Sequence, residues 1–176
     1  MKVLVTGGAG FIGSHVVDAL LDAGHEPRIF DVVPSCWHDV DEVETFVGDL
    51  TDLDAVKAAA HGCDAIAHLG AIADVNHVAA DPAYAERVNS GGTANVLEAA
   101  AAEAVGRVVY ASTIWVYDGC TATHVDEESL LGLPQHPYTA QKIAGEMYCN
   151  SYAELYDVDF TILRFGIPYG PRARGP

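Results

Sequence analysis

Short apolar runs and amphipathic stretches alternate along the whole chain. Residues 2–6, KVLVT, are apolar and β-branched, the pattern of a buried strand. Beyond a glycine cluster, Phe11, Val16, Leu20 and Leu21 recur near helical spacing, with Ile12 and Ala19 beside them, and Gly24 stops that helix. Residues 27–33 (PRIFDVV), 44–48 (ETFVG), 64–69 (DAIAHL), 107–111 (RVVYA) and 159–164 (DFTILR) read as further strands. Between them the pattern predicts a short helix over 53–61, capped by Thr51 with Asp54 completing an imperfect capping box. It predicts a long alanine-rich helix that starts at Asp81-Pro82 and runs to about residue 104, and a third over 138–156. Residues 118–137 read as a polar loop. Such alternation specifies the α/β class: a doubly wound parallel sheet in a three-layer α/β/α arrangement. The expected strand order is 3-2-1-4-5-6, with ligands outside the carboxyl ends of the strands where strands 1 and 4 meet.

The glycine cluster sits at that place. TGGAGFIGSH fits Gly8-x-Gly10-x-x-Gly13 and Gly7-x-x-Gly10-x-x-Gly13 together, between a predicted strand and a predicted helix. Glycines there give a tight turn, let backbone N–H groups reach a pyrophosphate, and let the helix pack close to the strand. Asp31 lies near the end of the second strand, close to the distance of roughly 20 residues expected after such a loop. A carboxylate there accepts the ribose hydroxyls of an adenosine and repels a 2′-phosphate. With no arginine immediately after it, the fingerprint selects NAD over NADP and makes the chain a Rossmann domain.

Composition narrows the partners. The 176 residues suffice for one core, and half of them are apolar. A net charge of −16 argues against nucleic acid as a partner. No apolar run is long enough for a membrane span and no signal-peptide pattern opens the chain, so no membrane partner is expected. Cys36, Cys63, Cys120 and Cys149 form no CxxC pair and read as reduced thiols of a cytoplasmic protein. The histidines show no ligand spacing, so no metal is expected.

The candidate chemistry lies in the second half. Tyr138 and Lys142, in PYTAQK, are four apart at the start of a helix and share a face. A tyrosine with pKa near 10 is a poor base at neutral pH. A neighbouring ammonium favours the phenolate, so Lys142 is expected to lower the Tyr138 pKa and make it a proton shuttle. Ser112 and Thr113 end the fifth strand, where Thr113 can orient a substrate oxygen.

These segments occur together with Gly48-Asp49-Leu50, His68-Leu69-Gly70-Ala71, Asn89, Gly92-Thr93-x-Asn95, Val116-Tyr117 and Arg164-Phe165-x-x-x-Tyr169-Gly170-Pro171-Arg172. In this order they resemble the extended short-chain dehydrogenase/reductases, the NAD-dependent epimerase/dehydratase family, over essentially the whole chain. The resemblance implies a cofactor site in which Gly7, Gly10 and Gly13 hold the pyrophosphate, with backbone N–H groups of Phe11 and Ile12. Asp31 then binds the adenosine ribose, and Asp49 and Leu50 flank the adenine. Leu69, Gly70 and Ala71 pass beneath the cofactor, and Phe165 lies near the nicotinamide. Thr113 matches the family's catalytic Ser/Thr, Tyr138 its base, and Lys142 the residue that holds the nicotinamide ribose. The family's substrates imply a nucleotide-sugar, and its helix-mediated dimers imply a homodimer through the 81–104 and 138–156 helices.

Family 4,6-dehydratases carry an Asp-Glu pair directly after the catalytic threonine, where this chain has Ile114 and Trp115. Family decarboxylases that make UDP-xylose have a glutamate at the place of Trp115. Neither residue here transfers a proton. A 4-epimerase needs hydride transfer, one proton shuttle and room for the keto intermediate to turn over, so the resemblance points to NAD-dependent nucleotide-sugar 4-epimerisation of the UDP-glucose/galactose type. Gly70 and Asp118 depart from the family pattern and leave the exact substrate open. Two alternatives stand beside this reading. One is an NAD(P)-dependent oxidoreductase that acts on a sugar or another alcohol or ketone and releases its cofactor. The other is a non-catalytic nucleotide-binding module, which has no use for Thr113, Tyr138 and Lys142 together. In the family, the motif at 169–176 leads into a smaller C-terminal substrate domain. The sequence here is therefore expected to be the NAD-binding Rossmann domain, 1–176, of a longer protein, poorly active by itself.

Overall fold

The computed structural model describes residues 1–173; the end of the terminal motif, 174–176, lies outside the described residues. Strand β1 (Lys2–Thr6) runs through the centre of the molecule and leads over the glycine turn into helix α1 (Phe11–Asp22). Strands β2 (Glu26–Asp31) and β3 (Glu44–Val47) extend the sheet to one edge. Helix α2 (Leu53–Ala60) then crosses back to β4 (Ala65–His68). Two short helices, α3 (Val75–Ala80) and α4 (Pro82–Glu86), precede a π-helical turn (Arg87–Gly91) that feeds α5 (Gly92–Ala102). Strand β5 (Arg107–Thr113), a 3₁₀ turn (Ile114–Tyr117), the long helix α6 (Pro137–Tyr156) and strand β6 (Phe160–Phe165) complete the order. The six strands are parallel and run β3-β2-β1-β4-β5-β6, the order the alternation predicts.

The sheet is covered on both faces, as parallel sheets require. Val5 and Ile29 meet Val17 of α1 on one face. On the other, Leu4, Phe30, Ile66, Val108 and Tyr110 pack against Val56 of α2, Val96 and Leu97 of α5 and Cys149 of α6. Each large apolar side chain buried in this way contributes about 1.5–3 kcal/mol. This packing holds the carboxyl ends of β1, β4 and β5 in fixed register.

The structure corrects several local expectations. Asp52, not Thr51, caps α2, accepting from the N–H groups of Asp54 and Ala55 at 3.1 Å. The Thr51 N–H instead donates to the Asp49 carboxylate at 2.8 Å, which closes a turn ahead of the helix. The helix expected over 81–104 starts as read, with Asp81 capping the Tyr84 N–H. It is then interrupted by the π turn. Strand β5 runs two residues past the 107–111 run, and Ser112 and Thr113 end it as read. Among the described residues no helix is long and apolar enough to cross a membrane, and no cluster of three or more His, Cys, Asp or Glu has a metal-holding arrangement.

Candidate active site

A cavity of about 620 Å³ opens above the carboxyl ends of β1, β4 and β5. Its size lies within the usual range for small-molecule and cofactor sites. At one end stand Gly7, Gly10, Phe11, Ile12 and Gly13; Asp31, Asp49 and Leu50 form the next wall; Leu69, Gly70 and Ala71 form the floor. Thr113, Tyr138, Lys142 and Phe165 close the other end. Every residue named as a site candidate from the sequence therefore faces one space.

The glycine turn is built for a close approach. Gly7 has φ +72, and a Cβ there would stand 2.7 Å from the Gly70 nitrogen. A Cβ on Gly13 would stand 2.1 Å from the Gly7 carbonyl oxygen. Side chains at either place would push β1, α1 and the floor apart. Helix α1 begins at Gly10 with no side-chain cap, so its first-turn N–H groups and the positive end of its dipole face the cavity. That arrangement suits a phosphate. Asp31 ends β2 and accepts the Ala9 N–H at 3.0 Å. Burial raises its pKa, opposed by the backbone N–H groups of Ala9, Val33 and Val32. A diol placed against that carboxylate would supply further hydrogen bonds and favour its charged form. The residues present fit a dinucleotide.

The floor is held from behind by His68. The Thr93 hydroxyl donates to the Asn89 carbonyl at 2.6 Å, so it accepts from His68 Nε2–H at 3.0 Å. His68 Nδ1 then accepts the Thr6 hydroxyl at 2.7 Å, and Thr6 Oγ1 accepts the Gly70 N–H at 3.1 Å. Burial, with the Lys142 charge second, pushes the His68 pKa down to about 3, so the ring is neutral and structural. Asn89, on the π turn, accepts the Ile72 N–H at 2.7 Å and donates to the Ile72 carbonyl at 3.0 Å and to the Gln141 amide oxygen at 2.7 Å. This ties the floor to α6.

Helix α6 delivers the Tyr–Lys pair. Pro137 opens it without an N–H to satisfy, and His136 Nδ1 accepts the Tyr138 N–H at 3.1 Å. Lys142 Nζ lies 5.9 Å from the centre of the Tyr138 ring but donates to the Ala111 carbonyl at 2.9 Å. Burial pushes its pKa down to about 8. Burial also raises the Tyr138 phenol above its ordinary value. The lowering expected from the pair is thus not a property of the protein groups alone: desolvation outweighs an ammonium that is itself buried and turned toward a carbonyl. Thr113 lines the same end, and its hydroxyl accepts the Trp115 N–H at 3.3 Å. The Trp115 ring meets Tyr138 edge to face at 6.3 Å and also lines the cavity, whereas Ile114 is not among its walls.

Two features carry no signal in the sequence. Tyr84, at the start of α4, reaches over the cavity and donates to Asp49 at 3.3 Å. Behind Thr113, Glu146 is buried against Ser112 and Arg164. A polar residue on an otherwise ordinary helix does not show from spacing alone that it will meet an arginine from the next strand.

Comparison with known proteins agrees with this geometry. The model of the NAD dependent epimerase/dehydratase family matches residues 3–176. A UDP-glucose 4-epimerase of Mycolicibacterium smegmatis is 36% identical over 180 residues, covering 98% of this chain and 58% of that protein. A 3 beta-hydroxysteroid dehydrogenase/Delta 5-->4-isomerase of Mycobacterium tuberculosis is 40% identical over 142 residues, covering 78% of this chain and 37% of that protein. The crystal structure of a UDP-glucose 4-epimerase of Thermus thermophilus in complex with NAD superposes with a TM-score of 0.88 at 36% identity, covering 99% of this chain and 58% of that one. The chain thus spans little more than half the length of the epimerases it matches.

Proposed function

The chain belongs to the NAD-dependent epimerase/dehydratase family, and from that premise we propose that it binds NAD and serves the 4-epimerisation of a nucleotide-sugar. The observation that carries the reading is the convergence of Thr113, Tyr138 and Lys142 on the end of a cavity whose other end is an uncapped helix on a glycine turn. In the proposed arrangement the N-terminus of α1 faces the pyrophosphate, Asp31 accepts the adenosine ribose, and Lys142 holds the nicotinamide ribose. When bound, NAD supplies a reversible hydride acceptor. Tyr138 takes the proton of the sugar hydroxyl at C4 and returns it after the ring turns over. Thr113 orients that oxygen. Lys142 and the cofactor's positive charge together lower the phenol pKa that burial alone raises. Trp115, beside Tyr138, can neither take a proton from a neighbouring carbon nor give one to a departing hydroxyl, which disfavours elimination of water.

A second reading rests on a specific observation. The steroid dehydrogenase relative and the aromatic wall made by Trp115 both suit an apolar alcohol oxidised with net release of reduced cofactor.

The two readings separate in one experiment. Denaturing the purified protein and weighing the released small molecule is expected to yield NAD(H) near one per chain, and UDP-galactose is expected to convert to UDP-glucose, slowly in the 176-residue chain by itself, without accumulation of NADH. Steady NADH production with a sterol or simple alcohol, and none of the sugar conversion, would establish the second reading. Recovery of NADP would overturn the role given to Asp31.

A further inference from the structure

The ion pair of buried Glu146 with half-buried Arg164 takes no part in the proton transfer above, yet it touches the chain on both sides of Thr113. Ser112 and Arg164 are direct partners in the parallel register of β5 and β6, so their side chains leave the sheet on the α6 face beside Glu146. Their successors, Thr113 and Phe165, are paired as well and line the cavity. The Ser112 hydroxyl donates to Glu146 Oε1 at 2.5 Å. The Arg164 guanidinium donates to both carboxylate oxygens, at 3.0 and 2.7 Å. Its remaining arm donates to the Tyr117 hydroxyl, which itself donates to the Asp126 carbonyl at 2.8 Å. One ion pair thus grips the residue before Thr113 and the last residue of the turn after it. Glu146 follows Lys142 by about one helical turn and Tyr138 by about two on α6, so the grip and the candidate base ride on one helix.

We propose that Glu146 and Arg164 are positioning residues that hold the Thr113–Tyr117 turn at a fixed distance from Tyr138. They set Thr113 and Trp115 against the substrate. This rests on the catalytic reading of Thr113 and Tyr138. The planar fork of arginine serves a carboxylate and a phenol at fixed angles, which a lysine does not reproduce.

Trp115 lies within the gripped turn and is one of two tryptophans, so Trp37→Phe leaves it the sole tryptophan, excited selectively at wavelengths where tyrosine does not absorb. In that background Glu146→Gln, Arg164→Lys and Tyr117→Phe are compared on the full chain by Trp115 emission, NAD titration, melting and turnover. Tyr117→Phe removes one hydroxyl and leaves the ion pair intact, so it decides the matter even where the other two fail to fold. The expected result is a red-shifted, more quenchable Trp115 in Tyr117→Phe with unchanged NAD affinity. Turnover is expected to fall in kcat rather than KM, by roughly tenfold in Tyr117→Phe and roughly a hundredfold in Glu146→Gln. Arg164→Lys is expected not to restore it. Unchanged Trp115 emission and kcat, with melting alone lowered, would overturn the proposal. If the parent holds no NAD and converts no nucleotide-sugar even at high enzyme concentration, the function proposed above fails, while Trp115 emission still decides the positioning.

Discussion

At the scale of single residues, the site pairs a phenol made a weaker acid by burial with an ammonium made easier to deprotonate by burial. Desolvation dominates both, so the shift needed for catalysis has to come from a ligand. Titrating the phenolate absorbance of the wild type against Tyr138→Phe is therefore expected to place Tyr138 above its ordinary pKa without NAD and well below that value with it. Tyr138→Phe is expected to lower turnover by about 10²–10⁴-fold while NAD affinity persists. His68 gives a prediction about stability and pH. Its pKa is about 3 in the folded chain against 6.5 unfolded, so between those values the unfolded chain binds the extra proton. Stability is full above pH 6.5 and falls as pH drops toward 3, by up to about 5 kcal/mol for this one group. Denaturant unfolding at a series of pH values is expected to show that slope flattened in His68→Asn. These residues differed in how legible they were. Gly7, Asp31, Tyr138 and Lys142 stand in spacings that the chemistry demands, so the sequence alone points to them. Tyr84 and Glu146 reach their partners through tertiary packing, which no local spacing encodes.

At the scale of elements, α6 does three things on one rod. It presents Tyr138 and Lys142 to the cavity, carries Glu146 behind the sheet, and packs within touching distance of β5 at Gly145. A Cβ on Gly145 would stand 2.2 Å from the Tyr110 hydroxyl, so the helix sits as close as it does because that side chain is missing. Gly145→Ala is expected to destabilise the protein by about 1–3 kcal/mol in chemical denaturation and to lower NAD affinity, because Lys142 moves with the helix. The strands were readable because β-branched runs between turn residues leave little else for them to be. The helical region from residue 75 to 102 was not. Its alanine-rich pattern reads as one uninterrupted helix from residue 81, whereas the structure has a π turn there, from which the Asn89 side chain bonds both backbone polar groups of Ile72. That bond joins residues far apart in sequence, and a π insertion leaves no periodic trace. The preceding helix α3, started by Asp74 accepting the Asn76 N–H at 2.8 Å, is shorter than the window over which amphipathic spacing becomes visible.

At the scale of the whole molecule, a chain of net charge −16 holds a site for a phosphate-bearing ligand by local dipoles rather than by its overall field. Binding is then expected to depend on the α1 terminus more than on salt. At a free concentration one hundred times its Kd, NAD adds about 2.7 kcal/mol to stability. For a chain of this size that is a rise of about 5–11 °C in Tm. Differential scanning fluorimetry is expected to show this rise with NAD, none with NADP at equal concentration, and a much smaller NAD response in Asp31→Ala. The sheet order was legible because strand–helix alternation and right-handed crossovers leave few topologies open. The paired ends of β5 and β6 have one more consequence. The Ser112 hydroxyl and the Arg164 guanidinium turn toward Glu146, while Thr113 and Phe165 line the cavity. Substitutions at Trp115 and at 166–168 can therefore reshape the walls of the pocket without touching the ion pair that frames it.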